Sequence, residues 1–295
     1  MATTHPAEPA FSPLAPPWEH LAGVTRSVAR RVRTGAVLSR AVDLVVNVAL
    51  LAGLWLAYAA VRGITADEVP TALANASHVL HLQRSLGLPS EAWLQQQVLP
   101  AGWLVGGANR FYLYVHFPVT GLALAWTWAR RRELFGRLRT ALIGVSAVAL
   151  ALHVAFPLAP PRMMPGFVDT GAVFGPSPYN LEAASAANQI AAMPSLHVGW
   201  ALLLALTAVA AWRSWWRWLA LVHPAVTAAV VVVTANHYWS DALVAAALVG
   251  VAWFLTGRRR NLLPRVGDGR TTTSLHPVPV ELRPDLPRPA LAEAA

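Results

Sequence analysis

The chain has no cysteine and no lysine, and charged residues fill only 13% of its 295 positions. The first absence rules out disulfides and thiolate-bound metals. The second makes all 23 basic residues arginine; with abundant alanine, this points to a GC-rich, bacterial genome. The third is the most informative, because soluble domains carry about 25% charged residues. Here hydrophobic residues reach 56%, the composition of a membrane protein. No H-E-x-x-H, Walker-type phosphate loop or G-x-S-x-G pattern occurs, so zinc-protease, nucleotide-hydrolase and serine-esterase chemistries find no support. A net charge of +9 would suit nucleic acid. The arginines, however, gather at the ends of apolar segments rather than on an aromatic-interleaved basic face, which argues against nucleic acid as a partner and for a lipid bilayer.

About 20 apolar residues cross the hydrocarbon core, and six segments qualify: Leu44–Val61, Phe111–Ala129, Thr140–Pro157, Leu196–Trp212, Trp218–Ala235 and Ala242–Thr256. The last is short and is expected to begin near His237. Fifteen arginines flank one side of these spans and four, Arg62, Arg84, Arg110 and Arg162, the other. The bias orients six crossings with both termini cytoplasmic. The expected organisation is a basic N-terminal segment over 1–40, a six-span domain over 41–260 and a tail over 261–295. Met1–Gly23 and Leu263–Ala295 carry proline without apolar periodicity and are read as mobile cytoplasmic segments. Between spans one and two, the spacing predicts a helix over Asp67–Arg84 and a second, capped by Ser90, over Glu91–Leu99. Such amphipathic helices lie along the outer face, either roofing a site or merely packing. The fold expected is all-α: a polytopic membrane protein, a bundle of six transmembrane helices with short extracytoplasmic amphipathic helices.

Two stretches stand out, Pro194-Ser195-Leu196-His197 and His237-Tyr238-Trp239-Ser240-Asp241. An ionised side chain at the bilayer centre costs about 2.5–3.5 kcal/mol on insertion scales, so ionisable groups converging at one depth call for a function. His237 and Asp241 are four apart and share one face of a helix. A carboxylate there accepts the ring N–H, fixes the tautomer and aims the other nitrogen outward as nucleophile or base. Pro194 suits a first helical turn, whose free N–H groups favour an anion. His197, facing the other imidazole across that anion, can protonate a leaving oxygen. Arg162, within Pro160-Pro161-Arg162-Met163-Met164-Pro165, offers a planar fork for bidentate phosphate binding, held stiffly by its prolines. Together these parts describe phosphoryl transfer through a histidine, with an arginine and a helix N-terminus holding the non-bridging oxygens. His153 is read as a packing histidine inside span three, and His78 with His81 as exposed surface that lacks a third metal ligand.

The two motifs, in this order and forty residues apart, resemble the type-2 phosphatidic acid phosphatase superfamily of membrane lipid-phosphate phosphatases, and within it the inositolphosphotransferase-like branch. The resemblance covers Phe111–Thr256. It implies a six-span helical fold with the site at the outer ends, working on a membrane lipid phosphate without a metal or other cofactor. Carried over residue by residue, it implies that His237 is the nucleophile that becomes phosphohistidine. Asp241 orients it, and His197 is the acid for the leaving alcohol and then the base for the acceptor. Arg162, in the Ala159-Pro160-Pro161-Arg162 form of the branch, is expected to bind the substrate phosphate together with Ser195. The polar cluster Asn109, Arg110, Tyr112 and His116 recurs in the branch and is expected to add contacts, as is Asn236. The chain departs from the general pattern twice. No lysine stands seven residues before an Arg-Pro pair, and Val231 occupies the place of an arginine six residues before the histidine. The implied function is metal-independent phosphatase chemistry at the extracytoplasmic face of the cell membrane. The alternative is a phosphotransferase that moves an inositol phosphate or similar head group to an acceptor hydroxyl. The alternative of another class is a non-catalytic membrane protein that binds lipid head groups. The residues carry no mark of oligomeric state.

Overall fold

Apolar runs punctuated by proline and glycine fold here into helices. The computed structural model describes residues 17–177 and 188–262, and among them there is no strand, only a bridge pairing Leu158 with Ala191. The helices are α1 (Pro17–Ile64), α2 (Val69–Ser85), α3 (Glu91–Val98), α4 (Gly102–Tyr114), α5 (His116–Arg130), α6 (Arg132–Ala155), α7 (Thr170–Phe174), α8 (Leu196–Ala211), α9 (Val222–Val233) and α10 (Trp239–Leu262). Of the two segments expected to be mobile, residues 1–16 and 263–295 lie outside the described residues, whereas 17–23 open α1.

Four stretches among the described residues are long and apolar enough to cross a bilayer: Leu38–Ile64, Arg132–Ala155, Trp215–Val233 and Trp239–Arg258. They correspond to the expected spans one, three, five and six. The other two differ. The second is split into α4 and α5 at Val115, because Pro118 has no N–H to bond the Tyr114 carbonyl. The fourth, α8, has 16 residues and rises about 24 Å, less than the roughly 30 Å of a hydrocarbon core. Four helices therefore have spanning length where six were expected.

α8 occupies the centre, against α5, α6, α9 and α10. Leu138, Leu142, Val145, Leu203 and Val249 fill the seam between α6, α8 and α10. α1 leans on α6 and is tied there by Arg132 to Asp43 at 2.9 Å and Arg139 to Asn47 at 2.8 Å. Its large side chains Leu44, Val45, Trp55 and Leu56 stay exposed, as a lipid-facing surface requires. At the arginine-bearing end Trp126 stacks on Trp212 at 5.3 Å, and the Arg137 guanidinium lies 3.6 Å above the Trp253 ring, in the manner of interfacial aromatic belts.

The two helices expected between spans one and two are α2 and α3. Ser90 caps α3 as its position predicts, its hydroxyl accepting the Trp93 N–H at 3.3 Å. No residue of either helix lines the site cleft, so they pack rather than roof it, and their polar side chains also serve α10. The first N–H groups of any helix lack partners within it, and those of α10 are buried. Tyr238 N–H donates to Asp241 Oδ2 at 2.8 Å, Trp239 N–H to Glu91 Oε1 at 3.0 Å and Ser240 N–H to Gln83 Oε1 at 3.0 Å. All three acceptors are buried. α2 and α3 thus each send one side chain to cap α10 from outside. Replacing Glu91 by leucine leaves the Trp239 N–H unmatched and is expected to cost about 1–2 kcal/mol, read as a lower melting temperature in detergent. Glu91→Gln, which keeps an acceptor oxygen, is expected to recover most of it.

Candidate active site

The site forms where α9 ends and α10 begins. α9 closes with a left-handed residue, Ala235 (φ 55°). Its N–H bonds the Val232 carbonyl and the Asn236 N–H bonds the Val231 carbonyl, both at 2.9 Å, which is the hydrogen-bond pattern of a Schellman cap. Glycine is the usual residue at such a position, and alanine there costs about 1–2 kcal/mol of backbone strain. The turn points the Ala235 carbonyl at the Arg162 N–H, 2.9 Å away, and delivers Asn236 and His237 to a cleft of about 180 Å³.

His237 does not lie on the first turn of α10; it precedes the helix, which starts at Trp239. Its closeness to Asp241 is therefore a product of the cap, not of a shared helical face. Asp241 is the third residue of α10 and reaches back to the Tyr238 N–H, one half of a capping box, with the same Oδ2 lying 3.3 Å from His237 Nδ1. The shorter contact of Nδ1 is with the Ala192 carbonyl, at 2.7 Å. A carbonyl can only accept, so Nδ1 carries the proton and Nε2 is left with the lone pair. The tautomer is thus set by a backbone group that sequence patterns do not reveal. Ala192 is itself fixed, since its N–H donates to the Leu158 carbonyl at 3.1 Å while Leu158 N–H donates to Ile190 at 2.8 Å.

His197 opens α8 beside the cleft. Its ring centroid lies 6.2 Å from that of His237, with the planes tilted by 52°. Tyr112 stacks on it at 4.3 Å and His116 tilts against it at 4.5 Å. Arg162 sits in a single 3-10 turn, Pro161–Met163, and its Nη1 donates to Asn236 Oδ1 at 3.0 Å. The loop that carries it is pinned from two sides: Ala159 N–H donates to the Ala72 carbonyl of α2 at 3.1 Å, and the Tyr238 hydroxyl donates to the Ala159 carbonyl at 2.9 Å. Burial and the neighbouring carboxylates of Asp241 and Glu91 push the Tyr238 hydroxyl above its ordinary value, so it stays a donor.

The structure therefore brings His237, His197, Asp241, Arg162, Tyr112 and Asn236 together. Three other expected contacts are used differently. Ser195 is fully buried and caps α8, its hydroxyl accepting the Val198 N–H at 3.4 Å; Pro194 precedes that cap instead of sitting in the first turn. The Asn109 amide is engaged by the strap around α7, donating to the Thr170 carbonyl at 2.9 Å and accepting the Thr170 hydroxyl at 3.0 Å. His116 stands behind His197, between it and Trp200, and does not line the cleft. Conversely, His153 of α6, read from the sequence as a packing histidine, lines it, as does Tyr58 of α1, for which the sequence raised no expectation. The Tyr58 hydroxyl accepts the Asn188 N–H at 2.7 Å. Among the described residues no three His, Asp or Glu side chains converge as metal ligands. Tyr238→Phe removes the donor to the buried Ala159 carbonyl and is expected to lower stability by about 1–2 kcal/mol, measured by thermal unfolding in detergent.

A family model described as the PAP2 superfamily matches residues 77–255, which include every residue lining the cleft except Tyr58. No curated protein and no solved structure matches the chain.

Proposed function

The chain belongs to the PAP2 superfamily, and on that premise we propose that it is a membrane lipid-phosphate phosphatase acting through a phosphohistidine. The observation that carries this reading is the pair of imidazoles, forty residues apart in sequence, whose rings stand 6.2 Å apart over one cleft. His237 offers the Nε2 lone pair because its Nδ1–H is committed to the Ala192 carbonyl. In the first step Nε2 attacks phosphorus. An N–P bond forms, the P–O bond to the lipid alcohol breaks, and His197 as imidazolium gives its proton to the leaving oxygen. In the second step neutral His197 takes a proton from water, the water oxygen bonds to phosphorus and the N–P bond breaks. Inorganic phosphate leaves and His237 is restored. The Asp241 carboxylate offsets the positive charge of the phosphorylated ring, and Arg162 holds the non-bridging oxygens. The stack of Tyr112 on His197 keeps that ring in one plane.

Four apolar helices of spanning length fit a membrane protein. We further propose six crossings in the cell membrane, with α8 and the α4–α5 pair supplying the two beyond those four. Both termini then lie on the cytoplasmic side with the arginine-rich helix ends, and the cleft faces outward; the positive-inside bias supports this orientation. A second reading, transfer of a head group to another hydroxyl as in the inositolphosphotransferase-like branch, draws on the Ala159–Arg162 form that the branch shares.

Purified protein in mixed micelles is expected to release phosphate from phosphatidate at a rate that chelators leave unchanged. His237→Ala and His197→Ala are each expected to lose about 10³-fold or more, with non-additive effects in the double variant. Rapid quenching with labelled phosphatidate is expected to label wild type and not His237→Ala. Phosphorylated acceptor in place of free phosphate selects the transfer reading. Tight lipid binding with no turnover and no labelled protein selects a non-catalytic one.

A further inference from the structure

Along α6 the residues Ser146, Ala149, Leu150 and His153 recur at helical spacing, and all are buried. The first of them meets α8, where the Ser146 hydroxyl accepts the Trp200 indole N–H at 3.1 Å. α6 and α8 run in opposite directions. Seven residues on from Ser146, at His153, the facing position is seven residues back from Trp200, at Met193. α8 has not begun there, since its cap is Ser195. His153 thus extends past the helix on which the rest of its stripe packs, and lines the cleft with His197, His237 and Arg162. It is 3% exposed. Its polar neighbours are the Pro194 backbone carbonyl, which attracts one ring nitrogen, and His237, and neither ring nitrogen makes a well-directed hydrogen bond.

A buried imidazole with no well-directed hydrogen bond at either nitrogen is disfavoured unless something outside the protein completes it. A leucine or methionine would fill the same seam without that cost. Packing therefore accounts for the burial of His153 and not for its chemistry. Its surroundings in the cleft are two other imidazoles and a guanidinium, a set of groups suited to an anion.

We infer that His153 is a third substrate-binding imidazole, donating a ring N–H to a non-bridging oxygen of the phosphoryl group that His237 receives. The inference rests on the phosphatase reading above. Arg162 reaches the group from the loop that follows α6 and His153 from the end of α6 itself, so the two donors are set by adjoining stretches of chain.

Wild type, His153→Leu and His153→Gln are compared for phosphatidate hydrolysis and for the shift in melting temperature produced by orthovanadate, a phosphate analogue that needs no turnover. His153→Leu is expected to melt like wild type without vanadate, to lose about 10- to 100-fold in kcat/KM and to show a smaller vanadate shift. His153→Gln keeps an N–H donor and is expected to recover a large part of both. A His153→Leu protein with wild-type kcat/KM and vanadate shift overturns the inference. Should it fail to fold, His153→Met serves as the donor-free variant, and equal behaviour of the Met and Gln variants overturns it likewise. A wild type no more active than His237→Ala refutes the phosphatase reading instead, and the vanadate shift then decides the role of His153 separately.

Discussion

A helix that begins beside a cleft in an apolar bundle has to find acceptors for its first amide groups where water is scarce. α10 meets this constraint with three side chains from three helices: its own Asp241, Glu91 of α3 and Gln83 of α2. Because Oδ2 of Asp241 also lies beside His237 Nδ1, the group that starts the helix is the group that faces the imidazole. The two halves of the site are joined at the same place, since the Ser195 N–H that begins α8 donates to the Asp241 carbonyl at 3.2 Å. Helix initiation and the placement of His197 relative to His237 are thus one structural event.

That coupling gives the α2–α3 hairpin a purpose. It is remote in sequence from both histidine motifs, yet the Ala72 carbonyl holds the loop before Arg162, Gln95 holds Val168 and Val233, and Glu91 caps α10. Loops that carry functional groups are positioned by a rigid scaffold, and here the scaffold includes a pair of short helices outside the central bundle. The departure at Val231 fits the same picture. This residue is fully buried with Val198 and Val232 in an apolar cluster, and its carbonyl receives both Asn236 N–H and His237 N–H. The Val231 side chain packs in that cluster and its backbone serves the cap of α9.

Most of what was legible in the sequence rests on local signals. Ser90 capped the helix it precedes, the apolar runs became helices, and the two histidines and the arginine met in one cleft with Asp241 buried against His237. Contacts between distant backbone groups left no local trace. The Ala192 carbonyl that sets the His237 tautomer could be any residue, and Glu91 with Gln83 read as ordinary polar positions on amphipathic helices. His237 and Asp241 were correctly paired for an incorrect reason, because spacing of four suggests a helical face where the chain uses a cap. The interruption at Val115 was marked by Pro118, a signal present in the sequence and outweighed by the surrounding apolar run. His153 reads as packing because its neighbours in the chain are apolar; it is buried, and the late start of α8 places it at the edge of the cleft.

The brevity of α8 bears on where the chemistry happens. Its far end sits among tryptophans, with Trp212 against Trp126; if α8 crosses as proposed and those rings mark one interface, its shortfall of about 6 Å against a hydrocarbon core falls at the end that carries His197. In the six-crossing arrangement proposed above, the floor of the cleft would then be sunk below the level of the head groups, like a well opening into the leaflet. For the lipid phosphate of that proposal, the head group would reach the site along the protein wall while its tails stay among their neighbours, so that the membrane need not give the molecule up.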